Sequence, residues 1–164
     1  MNLPCVKIVK GNIMILMTGG TTLSPTAVQT AVRKSSILEA AVRKMLIHRT
    51  KRIPTAFPDI CGIHLACDAR NEAAVRRLRR RKHRAEKPLA VMADCTDTVR
   101  GICRLSMEEE QILTSPAHPI VLLSKRDRDL LPDLSFSARL GVMLPYTPLH
   151  FLLLDRTYGG PDLI

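Results

Sequence analysis

The residues best equipped for chemistry lie in one stretch, RNEAAVRRLRRRKHRAEK, where nine of the eighteen residues from Arg70 to Lys87 are basic. It closes on Lys82, Arg84, Lys87 and Pro88, a KxRxxKP spacing. Arginine can grip phosphate oxygens in bidentate fashion, whereas lysine acts as a mobile point charge. A helix ending in such residues delivers several donors to the place where the chain leaves it, which suits a nucleotide triphosphate or an RNA backbone. The plainer alternative is that Arg76, Arg77, Arg79, Arg80 and Arg81 keep the polar face of an amphipathic helix solvated. RRLRRRKHR is denser than solvation requires, which favours binding.

The surrounding chain makes that cluster focal. Of a net charge of +10 over 164 residues, residues 70–87 carry +7 and residues 1–57 carry +8, while residues 58–69 and 88–164 carry −2 and −3. The composition is globular, at 46% hydrophobic and 24% charged, and the length suits one domain with a core of its own. The apolar run Ile13 to Met17 is far below the roughly 18 residues of a membrane helix and too short for the apolar region of a secretory leader. No membrane association and a cytoplasmic protein are therefore expected. Cys5, Cys61, Cys67, Cys95 and Cys103 are odd in number and contain no CxxC pair, and their spacings to His64 and His83 match no zinc pattern. Free, buried thiols and no metal site are expected.

The elements that must position the cluster follow from periodicity. A β-like start over 6–17 precedes a turn-rich TGGTTLSP and a helical pattern over 25–47. HRTKRIPTAFPDI has no clear period and reads as linker, or as sequence that has lost its pattern. From Gly62 the signals become coherent. GIHLACDA reads as a strand, and Asp68 or Asn71 can cap a helix whose Ala74, Val75 and Leu78 face inward while its arginines face water. Pro88 stops that helix and LAVM is a short strand. TDTVRGICRL is helical, and Ser106 with Glu109 forms a capping box opening MEEEQIL. PIVLL and LGVMLP are strands, and Thr147 with Pro148 opens a last helix, LHFLLLD. Strands alternating with helices imply an α/β fold in which some of the short strands could pair antiparallel.

Three blocks, GIHLACDARNEAAVRRLRRRKHRAEKPLAVM, LTSPAHPIVLL and LGVMLPYTPLHFLLL, resemble, in order and almost without gaps, the YrdC-like domain of the HypF carbamoyltransferases that mature nickel-iron hydrogenases. ILEAAVRKML, at 37–46, resembles the helix preceding that domain's first strands. The resemblance implies a twisted, mixed α/β sheet, related to enzymes that make threonylcarbamoyl adenylate. It also implies ATP with Mg²⁺, and carbamoyl phosphate, as ligands in a positively charged cavity where a carbamoyl adenylate forms. Lys82, Arg84 and Lys87 would then contact phosphates and neutralise charge on the leaving pyrophosphate. Ser115 would lie near the nucleotide. His64 stands near the same cavity but reads more simply as a structural histidine in an apolar strand, and Met143 and Tyr146 as packing and turn residues.

Departures from the family pattern shape the expectations. Pro58, Asp59, Ile60, Cys61 and Gly62 stand where the family reads KGLGG. Family-like sequence is expected to fail again near Thr157, before the SGN motif, leaving an incomplete sheet. The division expected is a divergent segment, 1–57, followed by a partial YrdC-like domain, 58–164, in a truncated and frameshifted reading frame. Three functional readings follow: a carbamoyltransferase module weak or inactive alone, a double-stranded RNA-binding module using Arg76, Arg77, Arg79, Arg80, Arg81, Lys82 and Arg84, and a remnant with no function of its own. Just five aromatic residues make base stacking poor, so RNA would be recognised by charge and shape.

Overall fold

A computed structural model describes residues 5–9, 12–16, 50–51, 53–59, 62–84 and 86–164. The helical pattern over 25–47, including 37–46, lies outside the described residues. The β-like start is two strands, β1 (Cys5–Val9) and β2 (Asn12–Leu16), paired antiparallel from Cys5↔Leu16 to Val9↔Asn12. The stretch read as linker contains a strand. β3 (Thr55–Asp59) pairs antiparallel with β4 (Gly62–Ala66), from Thr55↔Ala66 to Asp59↔Gly62, and runs across the expected division at 57/58. Pro54 and Pro58 hid it, because proline carries no N–H for a ladder and reads as a break.

Helix α1 (Glu72–Lys82) follows. Asn71 caps it, its side-chain oxygen accepting from the Ala74 N–H at 3.1 Å while its amide donates to the Lys51 carbonyl at 2.9 Å. Ala74, Val75 and Leu78 are buried, as their spacing predicts. The helix ends at His83, whose φ of 49° is the left-handed conformation that glycine adopts without strain. His83→Gly is expected to raise stability by about 0.5–1 kcal/mol, seen as a higher midpoint in thermal denaturation. A lower midpoint would mean that the imidazole itself holds the loop.

The central sheet has the order β5-β7-β6, formed by β5 (Val91–Met92), β6 (Val121–Ser124) and β7 (Arg139–Met143). β5 runs parallel to β7, with Val91↔Val142, and β6 runs antiparallel to it, with Leu123↔Leu140. One face buries Leu123, Leu140 and Val142 against α1, α2 (Thr96–Ile102) and α3 (Met107–Leu113), through Val75, Leu78, Val99, Ile102 and Leu113. The Ser106 and Glu109 capping box is present. Thr147 caps α4 (Pro148–Leu153), with Pro148 in its first turn. This is the mixed α/β sheet that the sequence implies.

Beyond Thr157, where family-like sequence was expected to fail, the last residues pack on the sheet. After a short 3-10 turn (Arg156–Tyr158), Gly159 adopts φ 78° and Gly160 passes so close that an added Cβ would stand 2.8 Å from the Leu153 carbonyl oxygen. The chain then lies along the free edge of β5. Met92 and Ile164 exchange backbone hydrogen bonds at 2.8 and 3.0 Å, Ala93 bridges Leu163, and Leu163 is fully buried. Arg70 clamps this tail by gripping Asp162, through Nη2 at 2.8 Å and Nε at 2.9 Å. Arg156 pairs with Asp94 at 2.6 Å.

The hydrogen bonds from Arg70 hold the Asp162 carboxyl below the usual carboxylate range, against partial burial that pushes it up. A depressed folded-state value stabilises the fold above the unfolded-state value, and that contribution is lost as pH falls through the folded one. Because Arg70 is half-exposed, the effect is expected to stay below about 1 kcal/mol. Asp162→Asn should therefore flatten the acid side of a stability-pH profile while leaving its alkaline side parallel to the parent. An unchanged acid limb would remove the pair from the balance.

Candidate functional site: a cationic, apolar-walled cavity

Beside the main core, and walled in part by its residues Cys67, Leu78 and Val91, lies a cavity of about 290 Å³. β4 supplies His64, Leu65 and Ala66, the strand β5 supplies Val91 and Met92 after Leu89 and Ala90, and β7 supplies Met143. Tyr146 and His150 close one side, and Ile164 of the tail another. Lys82, at the end of α1, and Arg84, just past its cap, bring two cations to this apolar enclosure. Among the described residues no Asp or Glu side chain lines it, and neither Lys82 nor Arg84 is paired with one.

The electrostatics follow from that placement. Partial burial lowers the affinity of Lys82 for its proton, the Arg84 charge lowers it further, and the Cys67 sulfur opposes both. Cys67 cannot neutralise the pair, because burial, reinforced by Asp68, pushes its thiol up to about 12 and keeps it protonated. Burial likewise pushes the Cys103 thiol up to about 11. Neither is an activated nucleophile. Two like charges beside low-dielectric walls, with no Asp or Glu side chain among the described lining residues, can hold an anion.

Of the residues expected to contact phosphate, Lys82 and Arg84 meet in the cavity and Lys87 and Ser115 do not line it. Lys87 is exposed and its carbonyl faces Arg79. Ser115 lies in the turn after α3, its N–H donating to the Ile112 carbonyl and its own carbonyl accepting from the His118 N–H at 3.0 Å. His64 is exposed on the wall of the cavity near which the sequence reading placed it. Met143 and Tyr146, read as packing, also line the cavity. Tyr146 stacks on His118 at 5.4 Å and meets the His150 ring edge-on at 4.7 Å. The signal for this cluster was present in PYTPLH: a ring at 146 and another at 150, across a capped helix start, fall on one side of the chain.

The basic helix differs from the solvated face that the sequence implies. Arg79 is buried, at 7% exposure, and cannot reach a nucleic acid. Arg76 is committed to Glu72 and Asp133, both at 2.9 Å, and Arg81 reaches the Pro54 carbonyl at 3.4 Å. Arg77 and Arg80 remain on the exposed surface. Among the described residues no cluster of His, Cys, Asp or Glu could hold a metal ion, and no helix is long and apolar enough to cross a membrane.

Comparison with known proteins places these features in context. The Sua5/YciO/YrdC family model, described as "Telomere recombination", matches residues 52–161, which also recovers the stretches at 52–61 and beyond Thr157 that the sequence reading set aside. The chain is 51% identical over 108 residues to the carbamoyltransferase HypF of Rhodobacter capsulatus, covering 64% of this chain and 14% of that protein. It is 44% identical over 113 residues to the carbamoyltransferase HypF2 of Cupriavidus necator, covering 65% of this chain and 14% of that one. Among solved structures, full-length HypF in a phosphate- and nucleotide-bound form matches with a TM-score of 0.62 at 42% identity, over 71% of this chain and 18% of that chain. The chain thus spans about 14% of the length of these curated relatives.

Proposed function

Because the chain belongs to the Sua5/YciO/YrdC family, we propose that its cavity binds the phosphates of ATP as a module for carbamoyl-adenylate formation, with carbamoyl phosphate as the carbamoyl source. The observation that carries this reading is the convergence of Lys82 and Arg84 on an apolar cavity that no Asp or Glu side chain among the described residues lines. The likeness to a HypF crystallised with phosphate and nucleotide supports it. In this reading Lys82 and Arg84 hold the phosphate chain and offset the charge that grows on pyrophosphate as it leaves. The apolar walls keep water from the acyl group and strengthen those charge interactions. Among the described residues the cavity lining includes no Asp or Glu to hold Mg²⁺, so the ion would arrive on the nucleotide, and no step here depends on a protein-bound metal.

The geometry favours this reading over double-stranded RNA. RNA binding needs cations that project outward together, whereas Arg79 is buried and Arg76 is engaged with two carboxylates. The test is calorimetric titration of the purified chain with Mg–ATP, set beside titration with a double-stranded RNA of arbitrary sequence. Saturable nucleotide binding at physiological ionic strength supports the proposal. RNA binding without nucleotide binding, falling steeply with salt, would replace it.

A further inference from the structure

Arg79 is the one arginine of the RRLRRRK run that the fold takes inside, at 7% exposure. Burying a guanidinium is costly unless its donors are satisfied. Here backbone carbonyls satisfy them. Nε donates to the Asp133 carbonyl at 2.6 Å, Nη2 to the Leu134 carbonyl at 3.0 Å, and Nη1 to the carbonyls of both Arg84 and Lys87 at 2.9 Å. The guanidinium carbon also stands 5.5 Å from the centroid of the Phe136 ring.

Those acceptors bracket the loop that carries the cavity's cations. The Arg79 carbonyl accepts from the Arg84 N–H at 3.1 Å, while the Arg79 guanidinium donates to the Arg84 carbonyl. One residue therefore grips Arg84 from both sides of its Cα. The second Nη1 bond, to Lys87, fixes the far end of the loop, and the Asp133 and Leu134 carbonyls tie it to the segment entering β7. Leu89 joins the same anchor, its N–H donating to the Leu134 carbonyl at 2.9 Å.

We propose that Arg79 is a positioning residue for the phosphate site, a buried clamp that fixes the Arg84–Lys87 loop so that the Lys82 and Arg84 side chains meet in the cavity. The proposal rests on the phosphate-binding reading for its consequence, and on geometry alone for the clamp. The interaction is specific to arginine, because a lysine ammonium has three donors at one point and cannot span acceptors on both sides of a planar fork.

The experiment compares the parent chain with Arg79→Lys, Arg79→Met and Val75→Ala, the last a buried α1 residue outside the cavity that serves as a destabilised control. Hydrogen exchange is followed over 83–88 and over the central sheet, and inorganic pyrophosphate is titrated into each variant. In Arg79→Lys, exchange over 83–88 is expected to speed up about tenfold with the sheet unchanged, and pyrophosphate affinity to fall about tenfold or more although both cavity cations remain. Val75→Ala should leave affinity within about twofold. Parent-like loop exchange in Arg79→Lys, or an equal affinity loss in Val75→Ala, overturns the proposal. If Arg79→Met fails to fold, Arg79→Lys decides alone. If the parent binds no pyrophosphate, the phosphate reading fails, and the exchange pattern still decides whether Arg79 is the clamp.

Discussion

Replacing Lys82 and Arg84 together by alanine is expected to weaken Mg–ATP binding by at least about 100-fold, and so to remove it from the range of calorimetry. A hydrogen bond to a charged group contributes about 1.5–3 kcal/mol, so two such contacts give about 3–6 kcal/mol, and each 1.4 kcal/mol is tenfold in affinity. Both side chains are exposed, so solvent screening makes the lower part of that range the relevant one. The fold should survive, since both side chains reside at the helix end and are exposed. Relief of the repulsion that lowers the Lys82 proton affinity even favours the variant's folded state slightly. Arg77→Ala with Arg80→Ala, on the outer face of the same helix, removes the same charge and is expected to change nucleotide affinity less than about threefold. Equal losses from the two pairs would show that bulk positive charge, and not the cavity, holds the ligand.

That contrast marks how far sequence reasoning reached. The placement of Lys82 and Arg84 was legible only in part, because Asn71 marks where the basic helix starts, whereas the helix stops at Lys82 with the left-handed His83, well before Pro88. The fate of the neighbouring arginines was not legible. Arg77, Arg79 and Arg80 look alike in one dimension, and only the arrival of the 133–134 segment, more than fifty residues on, provides the acceptors that draw Arg79 inside. Similarly, α1 followed from local spacing, whereas β3 was hidden by its prolines and by the fact that its partner, β4, had to be known first. His64 shows the same limit. Alternation in GIHLACDA reveals a strand but does not say which face meets the core and which meets the cavity. Sites assembled from ends of separate elements, such as Tyr146 and His150 with Lys82, are the least visible of all, because no sequence period connects them.

Leu163→Ala is expected to cost about 3 kcal/mol, measured by chemical denaturation, a large fraction of the stability of a domain of this size. Local sequence gives no hint of such an effect, since PDLI follows two glycines and carries one polar residue. The physical reason is the position of the tail on the sheet. β5 is two residues long and pairs with β7 on one side only, so its other edge would expose the Met92 N–H and C=O. The tail satisfies both through Ile164, and the Asp94 N–H donates to the Asp162 carbonyl at 3.0 Å. Leu163 then fills the core beside Ala93 while its carbonyl accepts from the Ala69 N–H, tying the start of α1 to the same edge. Truncating it removes apolar contact at a point where backbone hydrogen bonds on both sides prevent collapse into the void. Because the next residue, Ile164, lines the cavity, ligand affinity should fall together with stability. Leu122→Ala, at an edge-strand position that is 62% exposed, should change stability by less than about 0.5 kcal/mol. If the two substitutions cost the same, the tail is not docked on β5, and the wall that Ile164 provides must come from elsewhere.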